Sequence, residues 1–173
     1  MFFEPYRDAL LAERTILLAG LIDDELATKV IAKLLILDDE DPSAPAVLLL
    51  DSRGGHVSAA LAVRDTVDDV ACPVRVHALD EASGMAAVLL AHGRRGERTA
   101  SPTSLVKLTP ISPQESAEVE RVETLLAGFL AEDTGQTQQT ILRDMRAGRC
   151  FTPEDAREYG LVDRIHVHPT RLL

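Results

Sequence analysis

The sequence predicts an α/β domain in which parallel strands alternate with helices, on three observations. Apolar, β-branched runs of strand length stand at Thr15–Ala19, Ala46–Leu50 and Val74–Leu79. A segment whose apolar residues recur at helical spacing, or a small apolar run, follows each of them. No linker, repeat or low-complexity stretch divides the 173 residues, so a single domain over 1–173 with one sizeable core is expected. Strand–helix–strand units in one sheet imply parallel neighbours joined by right-handed crossovers.

In chain order, Thr15–Ala19 is the first strand. Asp23 and Asp24 then provide an acidic start for a helix over Glu25–Leu37, with Leu26, Val30, Ile31, Leu34 and Leu35 on one face. Asp38–Pro45 is acidic, holds two prolines, and is a loop. Ala46–Leu50 is a buried strand that runs into the Gly54-Gly55 turn. Val57–Val70 spaces Val57, Leu61, Val63, Val67 and Val70 helically, Pro73 ends it, and Val74–Leu79 is the third strand. Ala82–Ala91 is small and apolar, a buried helix closed by Gly93, and Arg98–Leu108 holds short strand pieces. Ser116–Asp133 and Thr137–Met145 are helical. Thr152–Tyr159 opens with a Thr N-cap and Pro in the first turn, and Leu161–His168 is a last strand.

Composition narrows the function classes. A net charge of −10 and a pI near 4.9 oppose binding to nucleic acid or to anionic membrane surfaces, both of which need clustered Lys and Arg. No apolar run approaches the roughly 20 residues of a membrane span, and the N-terminus has no apolar signal-peptide core, so a cytoplasmic location is expected. Aromatics make up only 3%, so the core must be built from Ala, Val, Leu and Ile. Cys72 and Cys150 form no C-x-x-C pair and are expected to be buried small hydrophobes in a reducing compartment. No metal or cofactor is implied.

Three stretches carry more. L-L-L-D-S-R-G-G-H at Leu48–His56 takes a buried strand through two glycines into a helix, where backbone N–H groups can approach an anion. E-A-S-G-M-A-A at Glu81–Ala87 is a tight turn opening a buried helix, the usual seat of a nucleophile or oxyanion donor. F-T-P-E-D-A-R-E-Y-G-L-V-D-R-I occupies Phe151–Ile165. In this order they resemble the proteolytic subunit of the ATP-dependent Clp protease. The family's Y-I-N-S-P-G-G matches Leu49–Gly55, its G-Q-A-A-S-M-G-A matches Asp80–Ala87, and its S-A-x-E-A-x-E-Y-G-L-V-D matches Thr152–Asp163. The resemblance runs from Tyr6 to Ile165. It implies a ClpP/crotonase-like spiral of repeated β/β/α units with a helical handle, shortened here, over about residues 110–135.

The same resemblance implies that the chemistry is lost. The family cuts peptides with a Ser-His-Asp triad. The nucleophile's position is Gly84, counted both from Gly55 and back from Leu89-Leu90-Ala91; the base's is Thr109; the acid's is Gly148. Gly and Thr at these positions provide neither base nor carboxylate. The two oxyanion donors map to the N–H groups of Gly55 and Met85. The resemblance also implies weakened partner contacts. Pro110–Ser116 replaces a Gly-rich segment that pairs rings, and Val47 and Leu49 replace aromatics of the groove where the AAA+ ATPase docks.

The function expected is therefore a non-catalytic, structural or regulatory ring component, as a homo-oligomer or mixed with an active Clp subunit. Two alternatives stand beside it. One is a serine peptidase rescued by Ser83, although a one-residue slip at a helix start turns a side chain about 100°. His56, beside the Gly54-Gly55 turn, is the candidate base for that reading, whereas His77, His92, His166 and His168 read as surface or strand-end residues. The other is a crotonase-like enzyme binding acyl-CoA, whose thioester enolate two N–H groups would stabilise.

Overall fold

The computed structural model describes residues 9–112 and 118–166. The elements are β1 (Thr15–Ala19), α1 (Asp24–Glu40), β2 (Ala46–Ser52), α2 (Val57–Asp69), β3 (Val74–Ser83) and α3 (Met85–His92). They continue with β4 (Thr99–Ala100), β5 (Leu105–Lys107), α4 (Val119–Thr134), α5 (Gln138–Arg146), β6 (Cys150–Phe151), α6 (Pro153–Tyr159) and β7 (Arg164–Ile165). One mixed α/β sheet results, in the order β1-β2-β3-β4-β7, every pair parallel. This is the fold class the Clp resemblance implies.

The long β3 makes the sheet fork. Its first half pairs with β2 and β4, while Glu81–Ser83 pair with Leu105–Lys107 of β5. Between Leu50 and Ser52 the β2–β3 register shifts, so that Ser52 faces Ala82. The added residues bulge outward and bring Asp80 and Glu81 to the rim of a cleft. β5 then pairs antiparallel with β6, the one departure from a parallel sheet among the described strands.

The core lies on one face of the sheet. Ile16 and Leu18, Leu48 and Leu50, and Val76 and Ala78 point into it, following the two-residue alternation of strands. Val30, Leu34 and Leu37 of α1, Ala60 and Val63 of α2, and the whole of α3 cover them. Residues 85–91 of α3 are all buried, which explains why that helix is apolar all round. On the opposite face Val47 and Leu49 form a small cluster with Leu17 and Leu79. Capping agrees with the sequence: Asp23 accepts the Leu26 N–H at 2.8 Å, and Thr152 and Asp155 form a capping box behind Pro153.

Four expectations need correction. The helix expected from Ala82 begins at Met85, because Ala82 and Ser83 stay in β3 by pairing with Val106 and Lys107. The strand expected over Leu161–His168 is described only at Arg164–Ile165. Leu161 and Val162 are buried in the preceding turn, and His168 lies outside the described residues, as does Ser116, the expected start of α4. Cys72 is buried, but Cys150 is exposed on the edge strand β6. β6 itself was not anticipated, since two residues carry no periodic signal.

E-Y-G-L-V-D proves to be a structural lock. The Tyr159 hydroxyl donates to Asp144 at 2.9 Å, and its ring packs at 4.7 Å on Phe151. Burial raises the Asp144 carboxyl, but hydrogen bonds from Arg143, Arg149 and Tyr159 outweigh that and hold it below the usual range. Gly160 ends α6 at φ +94°, where a Cβ would sit 2.3 Å from the Thr134 carbonyl oxygen. Asp163 accepts the buried Arg98 guanidinium at 2.7 and 2.9 Å and two backbone N–H groups. Arg98 also donates to the carbonyls of Ala91 and Asp133.

Candidate functional site

The candidate site forms where the two glycine-bearing turns touch. Ser52 shapes the first: its hydroxyl donates to Gly20 O at 2.6 Å and accepts the Gly54 N–H at 3.0 Å. Gly54, at φ +99°, packs so closely on the second turn that a Cβ would lie 3.0 Å from Ser83 O and 3.2 Å from Met85 N. Ile22 bonds on both sides of Gly55, donating to Gly54 O at 2.9 Å and accepting from His56 N at 2.8 Å. That pattern turns the Gly55 N–H away from Ile22. Met85 opens α3, so its N–H is one of the first-turn donors with no partner inside the helix. The two N–H groups expected as oxyanion donors therefore lie on abutting turns. A cleft of about 670 Å³ opens beside Gly55, with Arg53, His56, Asp80 and Glu81 among its walls.

Gly84 joins β3 to α3 at φ +55° and ψ −121°, a sharp strand-to-helix turn that L side chains rarely adopt. Its N–H donates to Lys107 O at 2.9 Å, and its carbonyl accepts from Ala87 at 3.0 Å. A Cβ at Gly84 would lie 2.9 Å from the Thr109 hydroxyl oxygen. Gly148, at φ +63°, stands in the turn before β6, and a Cβ there would be 3.8 Å from Lys107 Cε. Leu108 N bonds Arg149 O at 2.9 Å, which draws that turn to the end of β5. The fold thus sets Gly84 against Thr109 and brings Gly148 alongside through Lys107, although the three are distant in sequence.

The remaining named residues lie elsewhere or are otherwise engaged. The Ser83 side chain is buried and its hydroxyl donates to Glu81 Oε1 at 2.7 Å. Glu81 also pairs with Arg53 at 2.9 Å. The Ser83 hydrogen bond, and then Arg53, hold its carboxyl below the usual range against partial burial. His56 is exposed at the N-cap of α2, and its side chain makes no capping bond. His77 and His92 correct the expectation of surface or strand-end residues. His77 is fully buried, with Nδ1 2.8 Å from Thr99 Oγ1 and Nε2 3.1 Å from Ser101 Oγ. Burial, and then His166, push it down to about 4, so it is neutral near pH 7. This Ser–His contact belongs to the strand face of Leu49 and Leu79, not to the cleft.

His92 sits at the end of α3, its nitrogens facing Asp68 at 2.9 Å and Asp133 at 3.4 Å. The sequence hid both environments. V-R-V-H-A puts His77 on the same strand face as Arg75, which suggests solvent, and the partners of His92 are far away in the chain. Among the described residues no cluster of His, Cys, Asp or Glu has the form of a metal site, and no helix is long and apolar enough to cross a membrane.

Comparison with known proteins points the same way as the motifs. The family model for Clp protease matches residues 3–169. The chain is similar to ATP-dependent Clp protease proteolytic subunit 2 of Corynebacterium efficiens, 34% identical over 171 residues, covering 91% of this chain and 84% of that protein. It has the same 34% identity, over the same shares, to subunit 2 of Corynebacterium glutamicum. With subunit 1 of C. glutamicum it is 36% identical over 167 residues, 90% of this chain and 80% of that one. Given the forked parallel sheet, the paired glycine turns and a match along almost the whole length, the chain belongs to the Clp protease family.

Proposed function

We propose that this protein is a non-catalytic Clp-type subunit, a structural or regulatory component of an oligomeric ring. The observation that carries the reading is Gly84. The nucleophile's position has no side chain, and the Thr109 hydroxyl occupies the space next to its missing Cβ. A triad assigns attack, proton transfer and orientation to three side chains. Here the three positions are Gly84, Thr109 and Gly148, none of which can act as base or acid. Removing triad members costs about six orders of magnitude in rate in subtilisin, so a retained pair of N–H donors leaves little peptidase activity. Burial of Ser83, and its bond to Glu81, weigh against a rescued nucleophile.

Exposed Leu35 and Ile36 on α1 offer apolar surface for packing in a ring, either of one chain or mixed with an active Clp subunit in the cytoplasm. Replacement of the docking aromatics by Val47 and Leu49 supports weakened ATPase contact. The test combines chemistry and assembly. The purified protein should show no fluorophosphonate labelling and no cleavage of casein or fluorogenic peptides, while light scattering should report a ring mass. Labelling at Ser83 would overturn the non-catalytic half, and a strict monomer that captures no active subunit would overturn the ring half. The cleft beside Gly55, with the Met85 N–H on the abutting turn, favours one second reading, acyl-CoA binding, which calorimetry with an acyl-CoA detects directly.

A further inference from the structure

Asp51, Asp80 and Glu81 stand in the walls of the cleft beside Gly55. The family motifs matched to Leu49–Gly55 and Asp80–Ala87 carry Asn, Gly and Gln at these three positions, so the negative charge is this chain's own. Like charges gathered around one cavity repel, and a cation offsets that repulsion. Arg53, the one arginine or lysine among the described walls, does so for Glu81, at 2.9 Å. Asp51 is half-buried and Asp80 exposed, and neither side chain has a hydrogen-bond or ion-pair partner among the described residues.

An unmet donor lies beside these carboxylates. Gly55 is buried, and no described residue accepts its N–H. A buried donor without a partner is costly, which favours a ligand that brings an acceptor. The aspartates disfavour a carboxylate or phosphate as that acceptor and leave a neutral carbonyl. A neutral carbonyl carried next to a cationic group is the chemistry of a peptide with an arginine or lysine side chain. Exposed Leu21, in the same wall, offers apolar surface to the stem of such a side chain. The Arg53–Glu81 pair shows that a guanidinium reaching into this wall meets a carboxylate at hydrogen-bond distance. The Arg53 side chain is 88% exposed, and an exposed pair of this kind is weak enough to exchange for a ligand's cation.

We propose that the cleft captures a peptide through a cationic side chain, with Asp51 and Asp80 as its specificity-determining residues and Arg53 as a tethered competitor for Glu81. The inference deepens the non-catalytic reading and rests on it, since a captured peptide must stay uncut.

Fluorescence anisotropy with the full chain tests it, using a labelled peptide that carries an arginine and its isostere with citrulline in that place. The arginine peptide should bind about tenfold more tightly, as expected for a charged hydrogen-bonded contact. Asp51→Asn together with Asp80→Asn should erase that difference. Arg53→Ala should raise affinity for the arginine peptide about threefold by freeing Glu81. Asp39→Asn together with Glu40→Gln removes the same charge at the opposite end of α1 from Leu21 and should keep the tenfold difference, which separates the cleft from the net charge of −10. Equal binding of the two peptides, no binding of either, or a preference that survives loss of Asp51 and Asp80 overturns the proposal. So does a preference lost equally with Asp39 and Glu40. Mass spectrometry of the recovered peptide keeps the two readings apart. Cleaved peptide overturns the non-catalytic reading and the capture with it, whereas intact peptide bound without preference overturns the capture alone.

Discussion

Replacing Gly84 by Ser puts a hydroxyl at the position proposed to correspond to the nucleophile and should yield a less stable protein with no new activity. Two costs add. The backbone at φ +55° and ψ −121° lies where a residue with a Cβ is strained, at about 1–3 kcal/mol. The new Cβ would also stand 2.9 Å from Thr109 Oγ1, closer than ordinary contact, so the Thr109 side chain must rotate or the turn must open. A loss of about 2 kcal/mol corresponds, for a chain of this size, to a fall in Tm of roughly 4–8 °C. Calorimetry at fixed protein concentration measures this, since the proposed assembly would make Tm depend on concentration. Fluorophosphonate labelling measures the chemistry. Gly84→Ser alone should remain unlabelled, because the hydroxyl would face threonine instead of a base. Adding Thr109→His and Gly148→Asp should produce labelling at a further cost in stability, since Gly148 has space beside Lys107 and its φ of +63° lies where Asp is strained less than most residues. Labelling of Gly84→Ser by itself, or an unchanged Tm, would refute the reasoning about this turn.

Other consequences follow from the same contacts. His77 is held near 4 in the folded chain against about 6.5 unfolded, so the unfolded chain takes up the proton first as pH falls. Stability from this residue is complete above about pH 6.5 and is lost as pH drops toward 4, by about 3 kcal/mol in all. Urea denaturation across that range should show the loss, and His77→Gln should flatten it. Arg98→Ala leaves Asp163 and the carbonyls of Ala91 and Asp133 without their donor, and should cost about 3 kcal/mol in urea midpoint analysis. Gly160→Ala drives a methyl group to within 2.3 Å of the Thr134 carbonyl oxygen at φ +94° and should cost about 3 kcal/mol or more, or abolish soluble expression.

Much of the fold was legible because its signals are local. β1 matches its apolar run residue for residue, and α1 and α2 match their 3.6-residue periods to within a few residues. The N-caps at Asp23 and Thr152 were readable from residue type alone. Motif spacing singled out Gly84, Gly55 and Met85, and the structure shows that the turns carrying them abut.

Where pairing across the sheet overrides local pattern, sequence reasoning failed. Ala82 and Ser83 look like the start of a small-residue helix, yet β5 holds them in β3. Cys150 and Phe151 form a strand only because Val106 and Lys107 lie beside them. His77 resembles a solvent-facing residue until Thr99 of β4 and the following Ser101 cover it.

The sequence by itself determined the layered α/β class and the family. Those depend on hydrophobic period and residue identity, which the chain carries locally. Only the tertiary structure decided that Thr109 stands against Gly84, that Ser83 is bound to Glu81, and that His92 lies between two aspartates. Those contacts join segments distant along the chain, and the forked sheet and its helix ends bring them together.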